Sequence, residues 1–459
     1  LVFGCGFLLL RGISFFLLPI YTNFLSEYEA GIIFLIYTLL AFLNPIYAYG
    51  MNAALFKFYN NENFSFETTT TTSFVSLFVS SCLLSSFIVL CSGYLNLLID
   101  PSYDKNQYIN WFFWLAFILF FDSFSSRAFV LLRVQQKPYY FLFISTANIV
   151  FSLVFNFLFI QYYKLGAYGA VLAMCIVAFV QAFLLLPLIF QSIQLRSFSY
   201  LLFKKMYHFA IPFLPSALLF VIIGFSDRWF IKYYLNVEAV GLYGAGYKLG
   251  SIMSLLVTAF NLNWQPYYLK NKKNKNNQFG KIGTIAIVVF ISVFVLLLLF
   301  TNNIVAISWG NKYLVGKDFW GGLIVVPYIA LGYLFYGIYI LQMPSIFLLN
   351  KQNWGLFFWF LGALTNVVGN IILIPQLGIL GASIATSFSY FIMMCALIYK
   401  NSFWMKIKYN FSQITTHLFI SVLFLSSRLF FNYSAVCFLG FLYILFVFLF
   451  IKNNINKIK

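Results

Sequence analysis

Charged residues are scarce in this chain. They make up 8% of its 459 residues, and only ten residues are acidic. Ordinary soluble domains carry about 25% charged residues, so this composition excludes one. The chain is instead 63% hydrophobic, and apolar runs long enough to cross a hydrocarbon core of about 30 Å recur from end to end. Any recognition or chemistry must therefore take place within or at the membrane.

The residues that usually bind metals or phosphates are also few. Six cysteines lie singly within apolar segments, which is typical of small core residues. The two histidines, His208 and His417, are too far apart in the chain to suggest a metal-ligand cluster. No Gly-rich phosphate loop is present, which argues against an ATPase. We predict no metal and no cofactor.

Apolar runs between polar breaks predict an all-α polytopic membrane protein of about fourteen helices. The chain begins at Leu1 within such a run, so we expect a few cytoplasmic residues to precede it and no cleavable signal peptide. The predicted spans are 2–24, 29–56, 73–99, 109–132, 139–161, 166–193, 208–235, 241–268, 282–309, 321–349, 354–375, 378–400, 411–431 and 434–451.

Lysine and arginine are unevenly divided between the two sets of loops. One set holds 18 of them and the alternate set holds four, Lys105, Lys164, Lys312 and Lys317. Because cytoplasmic loops carry the excess of positive charge, both termini are predicted to be cytoplasmic. The net charge of +18 is then a signal of topology and an attraction to anionic headgroups, and we predict no nucleic-acid binding.

The chain also repeats itself. Leu165-Gly166-Ala167-Tyr168-Gly169-Ala170 and Leu377-Gly378-Ile379-Leu380-Gly381-Ala382 each open a long apolar helix, and the two motifs are 212 positions apart. Gly31 and Gly241 are 210 positions apart in a second pair of similar segments. Similar offsets indicate a duplicated bundle, and an even number of spans per repeat makes the two copies parallel.

These offsets predict four regions. They are an N-terminal six-helix bundle (1–193), a cytoplasmic linker (194–206), a second six-helix bundle (207–400), and an extra helix pair with a basic tail (401–459). Duplicated membrane bundles are usually transporters.

Some charged residues fall inside the predicted spans, where a charge is costly and usually faces a cavity or a partner. We predict Arg11, Arg127, Arg228 and Lys248 as substrate-binding residues, and Asp122 and Asp227 as residues for ion coupling or charge balance. Lys232 and Arg428 lie near span ends, where extension of the side chain to the surface is the simpler reading. For Asp227 and Arg228, a structural ion pair is an equal alternative.

Several segments resemble the Wzx-type flippases of oligosaccharide repeat units. They are Arg11-Gly12-Ile13-Ser14-Phe15-Phe16-Leu17-Leu18-Pro19-Ile20-Tyr21 with Glu29-Ala30-Gly31, Ala210-Ile211-Pro212-Phe213, Asp227-Arg228-Trp229-Phe230-Ile231, and Gly241-Leu242-Tyr243. The resemblance extends from Leu1 to about Lys400. It implies membership of the multidrug/oligosaccharidyl-lipid/polysaccharide exporter superfamily, in which two bundles surround a cavity with alternating access.

The resemblance also implies a substrate and a location. The substrate would be an oligosaccharide on a polyprenyl diphosphate, moved across the bacterial cytoplasmic membrane for O-antigen, capsule or exopolysaccharide synthesis. Arg11, on the first helix, is the residue best matched to the cationic cavity of the related lipid II flippases. Expected partners are membrane lipids, polysaccharide assembly proteins and, as a coupling ion, H⁺ or Na⁺.

Three alternatives stay open at this stage. A drug or cation antiporter of the same superfamily would be expected to have a more acidic cavity, whereas basic residues outnumber acids in these spans. A lipid II-type flippase agrees with fourteen spans better than many Wzx proteins do. A membrane-embedded glycosyltransferase usually has a large external loop, which this chain lacks, so we predict that the protein is not an enzyme.

Overall fold

The computed structural model describes residues 2–59, 64–99, 110–271, 276–430 and 433–456, and within them the chain is almost entirely helical. The helices are α1 (Val2–Phe16), α2 (Leu18–Phe24), α3 (Glu27–Ala48), α4 (Met51–Phe58), α5 (Phe66–Ile99), α6 (Trp111–Val134), α7 (Pro138–Asn156), α8 (Gly166–Ser192), α9 (Tyr200–Ala210), α10 (Phe213–Phe225), α11 (Asp227–Tyr234), α12 (Val237–Gly250), α13 (Ile252–Lys270), α14 (Asn276–Val305), α15 (Val326–Gln342), α16 (Pro344–Leu348), α17 (Gln352–Leu377), α18 (Ile379–Trp404), α19 (Phe411–Phe430) and α20 (Tyr433–Asn456).

Shorter elements complete the description. A π-helical turn, Phe157–Tyr162, extends α7, and 3₁₀ turns cover Leu195–Ser197 and Lys317–Val325. Two short antiparallel strands, β1 (Ser308–Trp309) and β2 (Lys312–Tyr313), form a hairpin after α14.

The predicted all-α polytopic fold is confirmed. Ten helices in the described residues are long and apolar enough to cross a membrane, and two bent pairs raise the number to 12. Two shorter apolar stretches, Phe411–Ser427 and Phe438–Asn454, correspond to the predicted C-terminal pair. Each of the fourteen predicted segments therefore corresponds to helical structure.

One predicted span is too long. The apolar run over 29–56 is interrupted, because Tyr49 and Gly50 both adopt left-handed backbone conformations with φ of 33° and 73°. A Cβ at Gly50 would lie 2.1 Å from the carbonyl oxygen of Ala210, so only glycine permits this approach. The chain turns here, and α4 packs against α9 instead of continuing α3.

The described chain divides into two compact units, residues 1–244 and 245–459. In the first unit, α9 packs on α4, while α10 and α11 pack on α3. Elements beyond the predicted linker therefore belong to the compact first unit, and α9 begins inside that linker. The predicted domain boundaries describe a sequence repeat, and they stay a prediction.

In the second unit, α18 packs against α15 and α17, and the C-terminal pair packs on α14. His417 of α19 lies 2.9 Å from the hydroxyl of Ser292 on α14, and its Nε2 is 3.1 Å from the hydroxyl of Tyr443 on α20. This buried polar contact joins the three helices, because a polar group in an apolar environment is stabilised by a partner.

Candidate functional site

A cavity of about 530 Å³ lies within the first unit, and we call it the N-terminal cavity. Its walls come from α1, α3, α4, α6, α7 and α8. Its polar lining residues are Asn44, Asn52, Asp122, Ser123, Ser126, Arg133 and Gln181, and its apolar ones are Phe7, Leu10, Ala48, Phe129, Val130 and Phe141. Most of these lining residues lie in the parts of their helices nearer the predicted cytoplasmic side of the membrane.

One face of α6 supplies the charged groups of this cavity. Asp122, Ser126 and Arg133 recur at helical spacing and all line the N-terminal cavity. Asp122 lies in the middle of the helix and Arg133 in its last turn, about 16 Å further along the axis. The cavity therefore has the carboxyl group of Asp122 near the middle of α6 and the guanidinium of Arg133 near the C-terminal end of that helix.

Arg127 lies behind the wall of the cavity. Its side chain is fully buried, its Nε donates to Oδ1 of Asn52 at 3.0 Å, and its Nη1 donates to the carbonyl and hydroxyl oxygens of Ser73, both at 2.8 Å. These bonds join α4, α5 and α6. The amide of Asn52 is held in turn, and its Nδ2 donates to Ser126 at 2.8 Å. In this arrangement Arg127 positions a lining residue and is not itself among the lining residues.

Arg11 has the opposite environment, because its side chain is exposed. Its guanidinium lies 5.2 Å from the centre of the Phe7 ring, one helical turn earlier. Phe7 and Leu10 both line the N-terminal cavity, and Arg11 follows Leu10 directly on α1. The sequence prediction of Arg11 as a substrate-binding residue therefore concerns an exposed cation beside this cavity.

Asp227 and Arg228 form a buried ion pair. Nη1 of Arg228 lies 2.6 Å from Oδ1 of Asp227 and also donates to the carbonyl of Gly224 at 2.8 Å. The second carboxylate oxygen accepts the hydroxyl of Tyr243. The guanidinium lies over the rings of Phe225 and Tyr243, at 5.1 and 5.5 Å from their centres. Pairing offsets much of the cost of burying both charges.

Two other basic residues of the predicted spans, Lys248 and Lys232, do not line the N-terminal cavity. Lys248 is half-buried near the end of α12 and belongs to the second unit. Lys232 is partly exposed on α11, with its Nζ 5.7 Å from the centre of the Trp229 ring. The side chain of Arg428 lies outside the described residues. The first unit thus contains Arg11, Asp122, Arg127, Asp227 and Arg228, and only Asp122 lines the N-terminal cavity.

Sequence reasoning missed several cavity residues. Arg133 is one of the 18 basic residues assigned to the cytoplasmic loops, and the sequence does not single out the amides of Asn44, Asn52 and Gln181. A signal was present, since all three amides interrupt apolar runs, and polar side chains within spans usually face a cavity or a neighbouring helix. Among the described residues, no three His, Cys, Asp or Glu side chains come together to hold a metal ion.

Comparison with known proteins identifies the family to which the chain belongs. The model of the family described as polysaccharide biosynthesis protein matches residues 2–272, which is more than half of the chain. The chain therefore belongs to the polysaccharide biosynthesis protein family, and the family resemblance inferred from the sequence is confirmed.

A curated relative and several solved structures extend this finding. An uncharacterized membrane protein of Methanocaldococcus jannaschii is 22% identical over 256 residues, covering 53% of this chain and 49% of that protein. The chain thus matches about half the length of that relative. The lipid II flippase MurJ in an inward closed conformation has a TM-score of 0.75 at 16% identity and covers 99% of both chains.

Multidrug transporters share the fold at lower similarity. An inward-facing MATE family transporter of the MOP superfamily has a TM-score of 0.64 at 13% identity, over 89% of this chain and 95% of its own. The Vibrio cholerae MATE transporter VcmN has a TM-score of 0.61 at 14% identity, over 88% of this chain and 95% of its own. The chain therefore has the fold of this superfamily.

Proposed function

We propose that this protein is a flippase that moves polyprenyl-diphosphate-linked oligosaccharide repeat units across the bacterial cytoplasmic membrane. The observation that carries this proposal is the match to the polysaccharide biosynthesis family over residues 2–272. The MurJ-like fold over 99% of the chain supports it, because MurJ is itself a flippase of a lipid-linked substrate. The repeat units would serve O-antigen, capsule or exopolysaccharide synthesis.

The chemistry of a diphosphate headgroup assigns the residues their roles. Two phosphates need cations within a site of low dielectric constant, where charge interactions are far stronger than in water. Arg11 is the proposed headgroup ligand in the first unit, since it is exposed beside cavity residues on α1. Arg133 joins it as a cation that lines the N-terminal cavity. Lys248, which belongs to the second unit, stays a proposed substrate-binding residue.

Arg127 and Arg228 have a different proposed role. Both are buried and hydrogen-bonded within the first unit, so we assign them to holding its helices in place. Asp227 balances the charge of Arg228 in this scheme. Asp122, which lines the cavity, is the proposed carrier of a coupling proton or sodium ion.

Binding of cargo would drive alternating access. A bound diphosphate would add negative charge beside the cations of the site, and a difference in its affinity for the two conformations would shift the equilibrium between them. The cycle would operate in the bacterial inner membrane, with both termini cytoplasmic and with polysaccharide assembly proteins receiving the product.

A drug or cation antiporter is the second candidate, and one observation favours it. The carboxylate of Asp122 faces the N-terminal cavity, where a cationic cargo would meet it, and MATE transporters share the fold. A flippase-null strain and a drug-hypersensitive strain separate the two candidates. We expect the protein to restore polysaccharide export in the first and to leave drug resistance unchanged in the second. The reverse result would establish the antiporter.

Complementation of the flippase-null strain also tests the headgroup ligands. We expect Arg11→Ala and Lys248→Ala to abolish export, and Lys232→Ala to retain it as a control from the membrane surface. Each variant is checked for expression in the membrane. Full export by both Arg11→Ala and Lys248→Ala would remove the proposed site.

Cysteine labelling tests the topology. A single cysteine at Asn274, which lies outside the described residues, should react from the cytoplasm, and one at Lys312 of β2 should react from outside. Reaction of both from the same side would refute the predicted orientation.

A further inference from the structure

A second basic region lies at the end of the first unit where α4 meets α9. A groove of about 810 Å³ lies between these helices, and we call it the α4–α9 groove. Its residues are Lys57 and Phe58 of α4, Leu201, Lys204, Lys205, His208 and Phe209 of α9, and Pro212 and Phe213 at the start of α10. None of them lines the N-terminal cavity.

The sequence of α9 explains why these cations are presented together. Leu202, Met206 and Ala210 recur at i, i+4 and i+8 and are fully buried. They pack in one core cluster with Met51, Ala54 and Leu55 of α4. The opposite face of α9 then carries Lys204, Lys205 and His208, all of them exposed.

The third lysine of the groove comes from α4. The Nζ of Lys57 lies 3.9 Å from the centre of the Phe209 ring, which holds it over the floor of the groove. Among the described residues that line the groove, three are lysines, one is a histidine and none is acidic. The groove therefore matches an anionic ligand.

The same groove also has an apolar part. Leu201 is 61% exposed and Phe213 is 46% exposed. Phe213 begins α10, and α9 leads into that helix through a bend of 42°. An anionic headgroup beside the lysines would place its acyl chains along these side chains, whereas a free anion would leave them in water.

We propose that the α4–α9 groove binds the headgroup of an anionic phospholipid of the surrounding membrane. The lysines contact the phosphate, and Leu201 and Phe213 contact the upper part of an acyl chain. This site is separate from the proposed transport site, and it does not depend on which substrate is carried. Bound lipid would hold α9 at the membrane surface and so stabilise its junction with α10.

Native mass spectrometry of the full-length protein in detergent tests this proposal, with phosphatidylglycerol and phosphatidylcholine as probes. We expect phosphatidylglycerol to be retained selectively. The triple variant Lys57→Gln, Lys204→Gln, Lys205→Gln should weaken its binding by on the order of a hundredfold, since each lysine near a surface contributes about fivefold. A Lys→Arg triple variant should retain the lipid and would show that the positive charge is required.

A matched control removes three lysines elsewhere in the described chain, Lys400→Gln, Lys406→Gln and Lys408→Gln. The proposal is overturned if both triple glutamine variants lose phosphatidylglycerol equally, because binding would then follow net charge alone. It is also overturned if inorganic phosphate displaces the lipid at comparable concentration, which would indicate an ion site. A variant that loses polyprenyl diphosphate but keeps phosphatidylglycerol would assign the groove to the substrate pathway instead.

Discussion

The two copies of the repeated Leu-Gly-x-x-Gly-Ala motif, one in each compact unit, both have a positive φ at their first glycine. Gly166 opens α8 with φ of 58°, and Gly378 precedes α18 with φ of 59°. A side chain is strained at such φ values and glycine is not. The sequence repeat is therefore also a repeat of positive φ at this glycine.

The copies differ in the segment before that glycine. Ten positions separate Asn156 from Gly166, whereas eight separate Asn370 from Gly378. The longer copy contains the π-helical turn Phe157–Tyr162, and wider turns of this kind accommodate extra residues in a helix. The approach of the second glycine differs as a result. A Cβ at Gly169 would lie 3.0 Å from the carbonyl oxygen of Phe159, but one at Gly381 would lie 2.3 Å from that of Leu373.

The units also differ in their buried charges. Among the described residues, the charged side chains that are buried are Arg127, Asp227 and Arg228, and all three belong to the first unit. The second unit has instead a group of aromatic residues, in which the hydroxyls of Tyr247 and Tyr333 lie 2.7 Å apart and Tyr336 contacts Tyr390. The two units therefore share the positive φ of the repeated glycine but not the buried charged groups.

The largest expected effect removes one partner of the buried ion pair. We expect Asp227→Ala to destabilise the first unit by about 3–5 kcal/mol, because it leaves Arg228 buried without its counter-charge. Thermal unfolding in detergent measures this. The double variant Asp227→Leu, Arg228→Met should recover much of the loss. Unfolding of Asp227→Ala at the wild-type temperature would mean that the pair contributes nothing.

A smaller effect is expected at the second glycine of each motif, Gly169 and Gly381, where it approaches neighbouring backbone. We expect Gly381→Ala to cost about 1–3 kcal/mol, since the new Cβ must displace the backbone of α17. Gly169→Ala should cost less, because its neighbours stand further away. The same unfolding measurement compares the two variants, and an equal cost for both would contradict the role given to the π-helical turn.

The repeated asparagines provide a third comparison. Asn156 accepts the hydroxyl of Tyr21 at 3.1 Å, whereas Oδ1 of Asn370 has no hydrogen-bond partner within the described part of the chain. We expect Asn156→Leu to cost about 0.6–1.7 kcal/mol, the range of hydrogen bonds within membranes. Asn370→Leu should cost less, because it removes the bond from Nδ2 to Oδ1 of Asn366 but no bond to Oδ1 of Asn370. A larger loss for Asn370→Leu would reverse this comparison.

The smallest effect on stability comes with a change in transport. Asp122→Asn keeps the shape of a cavity residue and removes its charge, so we expect the unfolding temperature to stay within the measurement error. Export should fall or lose its dependence on the ion gradient, because the proposed coupling group is gone. Uptake into vesicles with and without imposed proton and sodium gradients distinguishes these results. Unchanged coupling would exclude Asp122 from that role.

Much of the fold could be predicted because it depends on local composition. Apolar runs of membrane length gave the spans, and the paired glycine motifs gave the two helix starts. The break at Tyr49 and Gly50 could not be predicted in the same way, because it depends on the approach of Ala210 from a distant part of the chain. Likewise, Arg127 and Arg133 are only six positions apart on α6, yet one is buried in hydrogen bonds and the other lines a cavity.

The sequence by itself determined that this is an all-α membrane protein of the polysaccharide biosynthesis protein family, since hydropathy and family motifs are properties of the chain. Only the tertiary structure decided which charges line a cavity and which are bound within the fold. The physical reason is that a charge inside a membrane protein can be stabilised by water, by a ligand or by neighbouring groups. The sequence shows only that the charge is present, and the packing of other helices decides which of these surrounds it.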